Sequence, residues 1–197
     1  MQGMKTSDLN PEVQTPITPR TVAPFRADHV GSLLRPAELK TARRQRESGD
    51  ISAADLDALE NSAIQLLIAK QQAVGLKGIT DGEFRRDFWH FDFLEGLGGV
   101  ESSLADHGIQ FQGGQTKSKG LRVTAKIGFA DHPMLRHFRF VKNNTKETAK
   151  MTIPSPSVLH YRGGRKAIDS KVYPGMDEFY HDLGQAYKEA VAAFEAS

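Results

Sequence analysis

The sequence predicts an α/β protein, and three observations predict it. Strand-like and helix-like segments alternate along most of the 197 residues, the grammar of a sheet covered by helices. Short apolar runs end in glycine and acidic residues, which is where ligands gather in parallel sheets. Residues 176–197 form an amphipathic helix in which Met176, Phe179, Tyr180, Leu183, Ala186, Tyr187, Ala190, Val191 and Phe194 recur at helical spacing. No strand follows for that stripe to cover, so the sequence reads as the front half of a larger barrel or sheet protein.

Residues 1–23 carry Pro11, Pro16 and Pro19 among Thr, Gln and Ser, and are expected to be a flexible N-terminal arm. The rest, 24–197, is read as one domain. Phe25 to Val30 is short and strand-like and breaks at Gly31-Ser32. Pro36 suits a first helical turn, and residues 37–47 look helical. Ser52 with Asp55 three positions on resembles a capping box. The helix behind it sets Leu56, Leu59, Ala63, Leu66, Leu67 and Val74 largely on one face, with Gly75 placed to end it. Leu76 to Thr80 is a strand ending in Asp81-Gly82-Glu83. Residues 95–120, rich in Gly, Ser, Gln and Lys, are an inserted loop or hairpin excursion. Leu121 to Phe129 alternates as a half-buried strand. A helix starts at His132-Pro133 and runs to about Lys142. Thr148 to Ile153 is a further strand, stopped by Pro154-Ser155-Pro156.

Composition narrows the function classes. With 39% hydrophobic and 25% charged residues, the chain is an ordinary globular protein. A net charge of +2 gives no footprint for nucleic acid, and the basic run from Lys40 to Arg46 is expected to be a solvated helix face. No apolar run approaches a membrane span, and the N-terminus has no secretory h-region. The absence of cysteine excludes disulfides, cysteine nucleophiles and thiolate zinc sites within this chain. A cytoplasmic location is the expectation.

Three strand ends stand out: His29-Val30-Gly31-Ser32, Thr80-Asp81-Gly82-Glu83 and Pro154-Ser155-Pro156-Ser157. Glycine after a strand lets backbone N–H groups approach an anion, and a serine hydroxyl adds a donor. Gly31 and Ser32 are therefore candidates to hold a carboxylate, and Glu83 to hold an ammonium group. Together they suit an amino-acid ligand. The competing reading makes Gly31-Ser32 a helix cap and pairs Glu83 with Arg85 or Arg86. Of the seven histidines, none shows the spacing of a compact metal site. His29, at a strand end, is the functional candidate. His107, His132 and His137 are expected to be surface or capping residues. Trp89 with Phe84, Phe88, Phe91 and Phe93 reads as core packing, or alternatively as a lid.

Phe25-Arg26-Ala27-Asp28-His29-Val30-Gly31-Ser32-Leu33-Leu34-Arg35-Pro36 resembles the first strand and loop of the cobalamin-independent methionine synthase family, in its short, single-barrel bacterial form. Gly78-Ile79-Thr80-Asp81-Gly82-Glu83-Phe84-Arg85-Arg86, with Trp89 and His90, resembles the second strand end. Met151-Thr152-Ile153-Pro154-Ser155-Pro156-Ser157 resembles a later one. The resemblance implies the N-terminal half of a (β/α)8 TIM-type barrel that transfers a methyl group from a folate to homocysteine. It also implies a zinc ion that binds the sulfur and lowers the thiol pKa. Under it, Gly31, Ser32 and Glu83 grip the amino-acid end of homocysteine; His29 and Asp81, at the same strand ends, are further substrate-binding candidates.

The departures are informative. The zinc ligands of the family are a His, two Cys and a Glu from the second half of the barrel, and none is assignable here. The sequence is thus expected to be a fragment that is inactive alone. Its alternatives are a related thiol alkyltransferase acting on another small thiol, or a non-catalytic truncated half-barrel that binds a partner chain. Open parallel edges and uncovered helix faces would favour self-association or docking of a complementary C-terminal half.

Overall fold

A computed structural model describes residues 20–104, 110–111, 114–115, 119–161 and 163–197. Most of the expected N-terminal arm, together with His107, lies outside the described residues. In chain order the elements are α1 (Ala37–Ser48), α2 (Ala53–Ala73), β1 (Gly78–Ile79), α3 (Phe91–Leu94), β2 (Gly98–Leu104), β3 (Gln110–Phe111) and β4 (Gly114–Gln115). They continue with β5 (Lys119–Gly128), α4 (Pro133–Asn144), β6 (Thr148–Ala149), α5 (Val158–Tyr161), a 3-10 turn (Gly164–Ala167) and α6 (Met176–Ala196).

The helix boundaries follow the local chemistry. Ser52 and Asp55 form the capping box at α2, with Asp55 N–H donating to Ser52 Oγ (3.1 Å) and Ser52 N–H to the Asp55 carboxylate (2.9 Å). Past the other end of α2, Gly75 takes the left-handed conformation. At α4, Pro133 occupies the first turn and His132 Nδ1 accepts the Met134 N–H (3.1 Å). His132 is thus a cap, as expected, but a buried one.

The sheets are small. β1 and β6 run parallel, with Gly78 opposite Thr148 and Ile79 opposite Ala149. β2 and β5 form an antiparallel ribbon from Gly98/Gly128 to Leu104/Lys119, irregular between Gly98 and Val100. β3 and β4 pair antiparallel. Among the described residues these sheets do not close a barrel.

Three expectations need correction. Phe25–Val30 forms no strand; its Asp28 and His29 are tied by side-chain bonds instead of a ladder. The 95–120 excursion, by contrast, takes the hairpin alternative where it is described, with β2 paired antiparallel to β5. The basic run is not wholly solvated: Arg43 turns inward to Glu60 (3.0 Å) and to the Phe84 carbonyl (2.7 Å). Finally, the stripe of α6 does have something to cover. Phe179, Leu183, Ala186, Tyr187 and Ala190 pack with Phe93, Val100, Val123 and Ile127, so the helix lies on the β2–β5 ribbon. Tyr180 and Val191 stay exposed.

Two cores result. The larger holds the ribbon, α3 and α6. The smaller joins Leu39 of α1, Ile64 and Ile68 of α2, Ile79 of β1, Phe84 and Val141 of α4. The aromatic cluster splits between uses: Phe84, Phe91 and Phe93 are buried, while Phe88 and Trp89 are exposed.

Candidate functional site

The ends of β1 and β6 are neighbours because the strands are parallel, so the residues following each strand emerge side by side. Thr80 to Glu83 leave β1, and Lys150 to Pro154 leave β6. Gln71 of α2 fastens the first turn, its side-chain amide donating to Thr80 C=O (2.9 Å) and accepting from Thr80 N–H (3.1 Å). A side chain here supplies what a further strand otherwise supplies.

The turn itself is tight. Gly82 has φ +63°, and a Cβ there would stand 2.5 Å from Leu67 Cδ2. Glu83 has φ +57°, a conformation that disfavours any side chain. Its backbone is held on both sides. Glu83 N–H donates to Asp81 Oδ1 (2.9 Å), and Arg35 donates to Glu83 C=O (2.8 Å). Strain held in place by surrounding side chains is a common mark of a functional position. Asp81 therefore shapes the turn, with its Oδ1 committed to the Glu83 backbone N–H.

The Glu83 carboxylate is buried. Its Oε1 accepts from Thr152 Oγ1 (3.2 Å) and lies 3.5 Å from Arg86. The pairing with Arg86 weighed in the sequence is real but long. Arg86 has firmer partners in the carbonyls of Thr152 (2.7 Å) and Trp89 (3.2 Å).

The Gly31-Ser32 loop reaches this turn. Leu33 N–H donates to Gly82 C=O (3.1 Å), and Gly31 takes the left-handed conformation at φ +85°. His29 Nε2 meets Thr80 Oγ1 at 3.2 Å, and Thr80 Oγ1 also accepts the Gly82 N–H (3.0 Å). Lys150 binds Asp28 and the His29 carbonyl, each at 2.7 Å. Its ammonium holds the Asp28 carboxyl below the usual carboxylate range. Two of the three strand-end motifs thus meet through His29–Thr80, and the residues ahead of the third join them through Glu83–Thr152 and Lys150–Asp28.

Ser155 and Ser157 remain exposed, bonded to each other at 3.0 Å. Lys150, Thr152 and Arg35 were not singled out in the sequence. Each acts across 48 or more positions; Arg35 and Thr152 lie inside the quoted stretches and Lys150 next to one, and no other signal marks them.

A separate cavity of about 310 Å³ lies beside the turn, lined by Arg85, Arg86, Asp87, Asp92, Glu95 and His137 among others. None of the five sequence-predicted site residues lines it. Burial, then the charges of Arg85, Arg136 and Arg86, push the His137 imidazole down to about 3, so it stays neutral.

No family model matches the chain. It is 47% identical over 173 residues to the Bacillus subtilis uncharacterized protein YxjH, covering 87% of this chain and 45% of that protein. It is 29% identical over 147 residues to the methionine synthase of Sulfurisphaera tokodaii, covering 74% of this chain and 40% of the relative. A solved structure from Listeria monocytogenes, provisionally named a vitamin-B12-independent methionine synthase, superposes with a TM-score of 0.74 at 43% identity. It covers 90% of this chain and 50% of that one. The chain spans about half the length of the relatives it matches.

Proposed function

The chain belongs to the cobalamin-independent methionine synthase family by sequence and fold, and from that premise we propose that its strand-end site grips the amino-acid end of homocysteine or a similar small thiol for methyl transfer. Gly31 and Ser32 receive the carboxylate and Glu83 receives the ammonium group. His29 braces the loop against Thr80, and Asp81 holds the turn. The observation that carries this reading is the buried, left-handed Glu83, fixed by Asp81 and Arg35 next to the Gly31-Ser32 loop. Among the described residues both contacts of its carboxylate fall on Oε1, and we assign Oε2 to the incoming ammonium.

The parallel β1–β6 pair, with α2 packed by β1 and α4 by β6, supports a place in a (β/α)8 barrel. The family resemblance also implies zinc and a folate donor. The chain has no cysteine, and among the described residues no group of three His, Asp or Glu converges as a metal site. These residues therefore do not fit zinc, and their proposed role stops at holding the acceptor. No residue of the site is assigned to the folate.

Titration calorimetry with L-homocysteine tests the assignment. The wild-type chain is expected to bind, and Glu83→Gln to weaken binding by about 1.5–3 kcal/mol, the worth of a hydrogen bond to a charged group. An unchanged affinity would remove Glu83 from the site.

A further inference from the structure

Lys150 stands outside the amino-acid grip, yet the loop that carries half of that grip saturates it. Its ammonium donates to both carboxylate oxygens of Asp28 and to the His29 carbonyl, all at 2.7 Å. An ammonium has three protons, and all three are committed to one segment. That segment, residues 20–36, has no helix or strand of its own. Lys150 reaches it from the residue just after β6, across more than 120 positions of chain.

The clamp is built on both sides. Asp28 Oδ1 also accepts the His29 N–H at 2.9 Å. A Cβ on Gly78 would stand 3.3 Å from that same oxygen, so glycine at the start of β1 leaves room for the carboxylate. Beyond the clamp, His29 Nε2 meets Thr80 Oγ1, which accepts the Gly82 N–H. One continuous path of bonds thus runs from Lys150 through Asp28 and His29 to the Glu83 turn. Gly31 and Ser32 sit two and three residues beyond His29. In a sheet, ladder bonds would hold them at the ligand. Here charge-assisted bonds to Lys150 hold the loop on the Asp28–His29 side, as Leu33 N–H to Gly82 C=O holds it on the other, and without Lys150 part of the loop's ordering entropy falls on ligand binding.

We propose, resting on the reading that Gly31 and Ser32 receive the carboxylate, that Lys150 is a positioning residue which sets affinity for the carboxylate end of the ligand and leaves the ammonium end alone. Lys150 does this through Asp28 and His29 without touching the ligand.

The test uses three probes against the full chain, by calorimetry or by competition with homocysteine. They are L-homocysteine, 3-aminopropane-1-thiol, which lacks the carboxylate, and 4-sulfanylbutanoate, which lacks the ammonium. Lys150→Met is expected to weaken homocysteine and the butanoate at least tenfold while the aminothiol changes less than twofold. Lys150→Arg is expected to recover most of the loss. Glu83→Gln should show the mirror pattern, losing the aminothiol and keeping the butanoate. Asp28→Asn leaves the Lys150 charge in place but opens the clamp, and also serves if Lys150→Met does not fold. It is expected to weaken the butanoate as Lys150→Met does. Tighter butanoate binding in Asp28→Asn would make Lys150 a direct ligand and overturn the proposal. So would equal weakening of all three probes, the mark of a general folding defect. Unchanged binding by Lys150→Met, with a wild type that binds, overturns this proposal alone. A wild type that binds none of the probes overturns the reading of the site and this proposal with it.

Discussion

The two halves of the molecule are held together by different forces. The ribbon and α6 share a core of large apolar side chains, in which Phe93, Tyr173 and Phe179 are fully buried. Around α1, α2 and the β1 turn, the apolar core is small, and a polar lattice surrounds it. Arg43 and Arg85 both bind Glu60, Arg85 also binds Asp57 and Asn61, and Arg43 also binds Asp87. Apolar contact is strong but non-directional, whereas ion pairs and hydrogen bonds fix angles. The half that positions the candidate grip uses the directional forces, and the half that carries no candidate residue uses bulk burial.

Removing a buried ring should break the first region hardest. Phe179→Ala leaves a cavity among Tyr173, Tyr180 and His160, its ring neighbours. The expected cost is about 3–5 kcal/mol, read from urea denaturation followed by circular dichroism. Homocysteine affinity of the molecules still folded should stay near wild type. A loss of affinity there would show that the two halves are not separable.

Glu60→Ala attacks the second region. Glu60 is buried and bonded to two guanidinium groups. Stranding a buried charge costs about 3–5 kcal/mol. Here Arg85 keeps Asp57 and Asn61, and Arg43 keeps Asp87 and the Phe84 carbonyl, so about 2–3 kcal/mol is expected. In contrast to Phe179→Ala, this variant should also lose homocysteine affinity, because Arg43 and Arg85 flank the Glu83 turn. Stability lost with affinity intact would separate the lattice from the site.

The same contrast explains what was legible in the sequence. Regions governed by burial announce themselves by period. The alternation from Leu121 to Phe129 became β5, and the helical spacing after Met176 became α6. Local polar signals were legible too: the Ser52/Asp55 box and Gly75 bound α2 as read. The polar lattice was not legible. Gln71 grips Thr80 from nine positions away, and Lys150 reaches Asp28 from 122, and neither leaves a periodic trace. The strand expected at Phe25–Val30 failed for that reason, since its apolar content suited a ladder while its polar side chains found other partners. Gly31, Ser32 and Glu83 were found as motifs, but the bonds that bring them together depend on residues the motifs do not contain.

His137 offers the smallest effect and the most specific probe of where the two regions meet. It sits on α4, partly buried, close to the charges of Arg85, Arg136 and Arg86, and its pKa falls to about 3. The unfolded chain takes up a proton at this residue near the ordinary histidine value of about 6.5, while the folded chain does not. Its contribution to stability is therefore complete above about pH 6.5 and is lost progressively as the pH falls toward 3. His132 has its pKa lowered by burial and acts in the same direction. Between roughly pH 6.5 and 5 most carboxylates stay ionised, so the histidines dominate the slope. His137→Leu should flatten the fall in the unfolding free energy read from urea titrations, by about 1 kcal/mol between roughly pH 7 and 5.5 after allowance for solvent screening. His132→Leu should act on the same slope but also remove the α4 cap, lowering stability at every pH. A slope unchanged by His137→Leu would mean that its imidazole is charged in the folded chain, and that the arginine cluster tolerates one more cation than its geometry suggests.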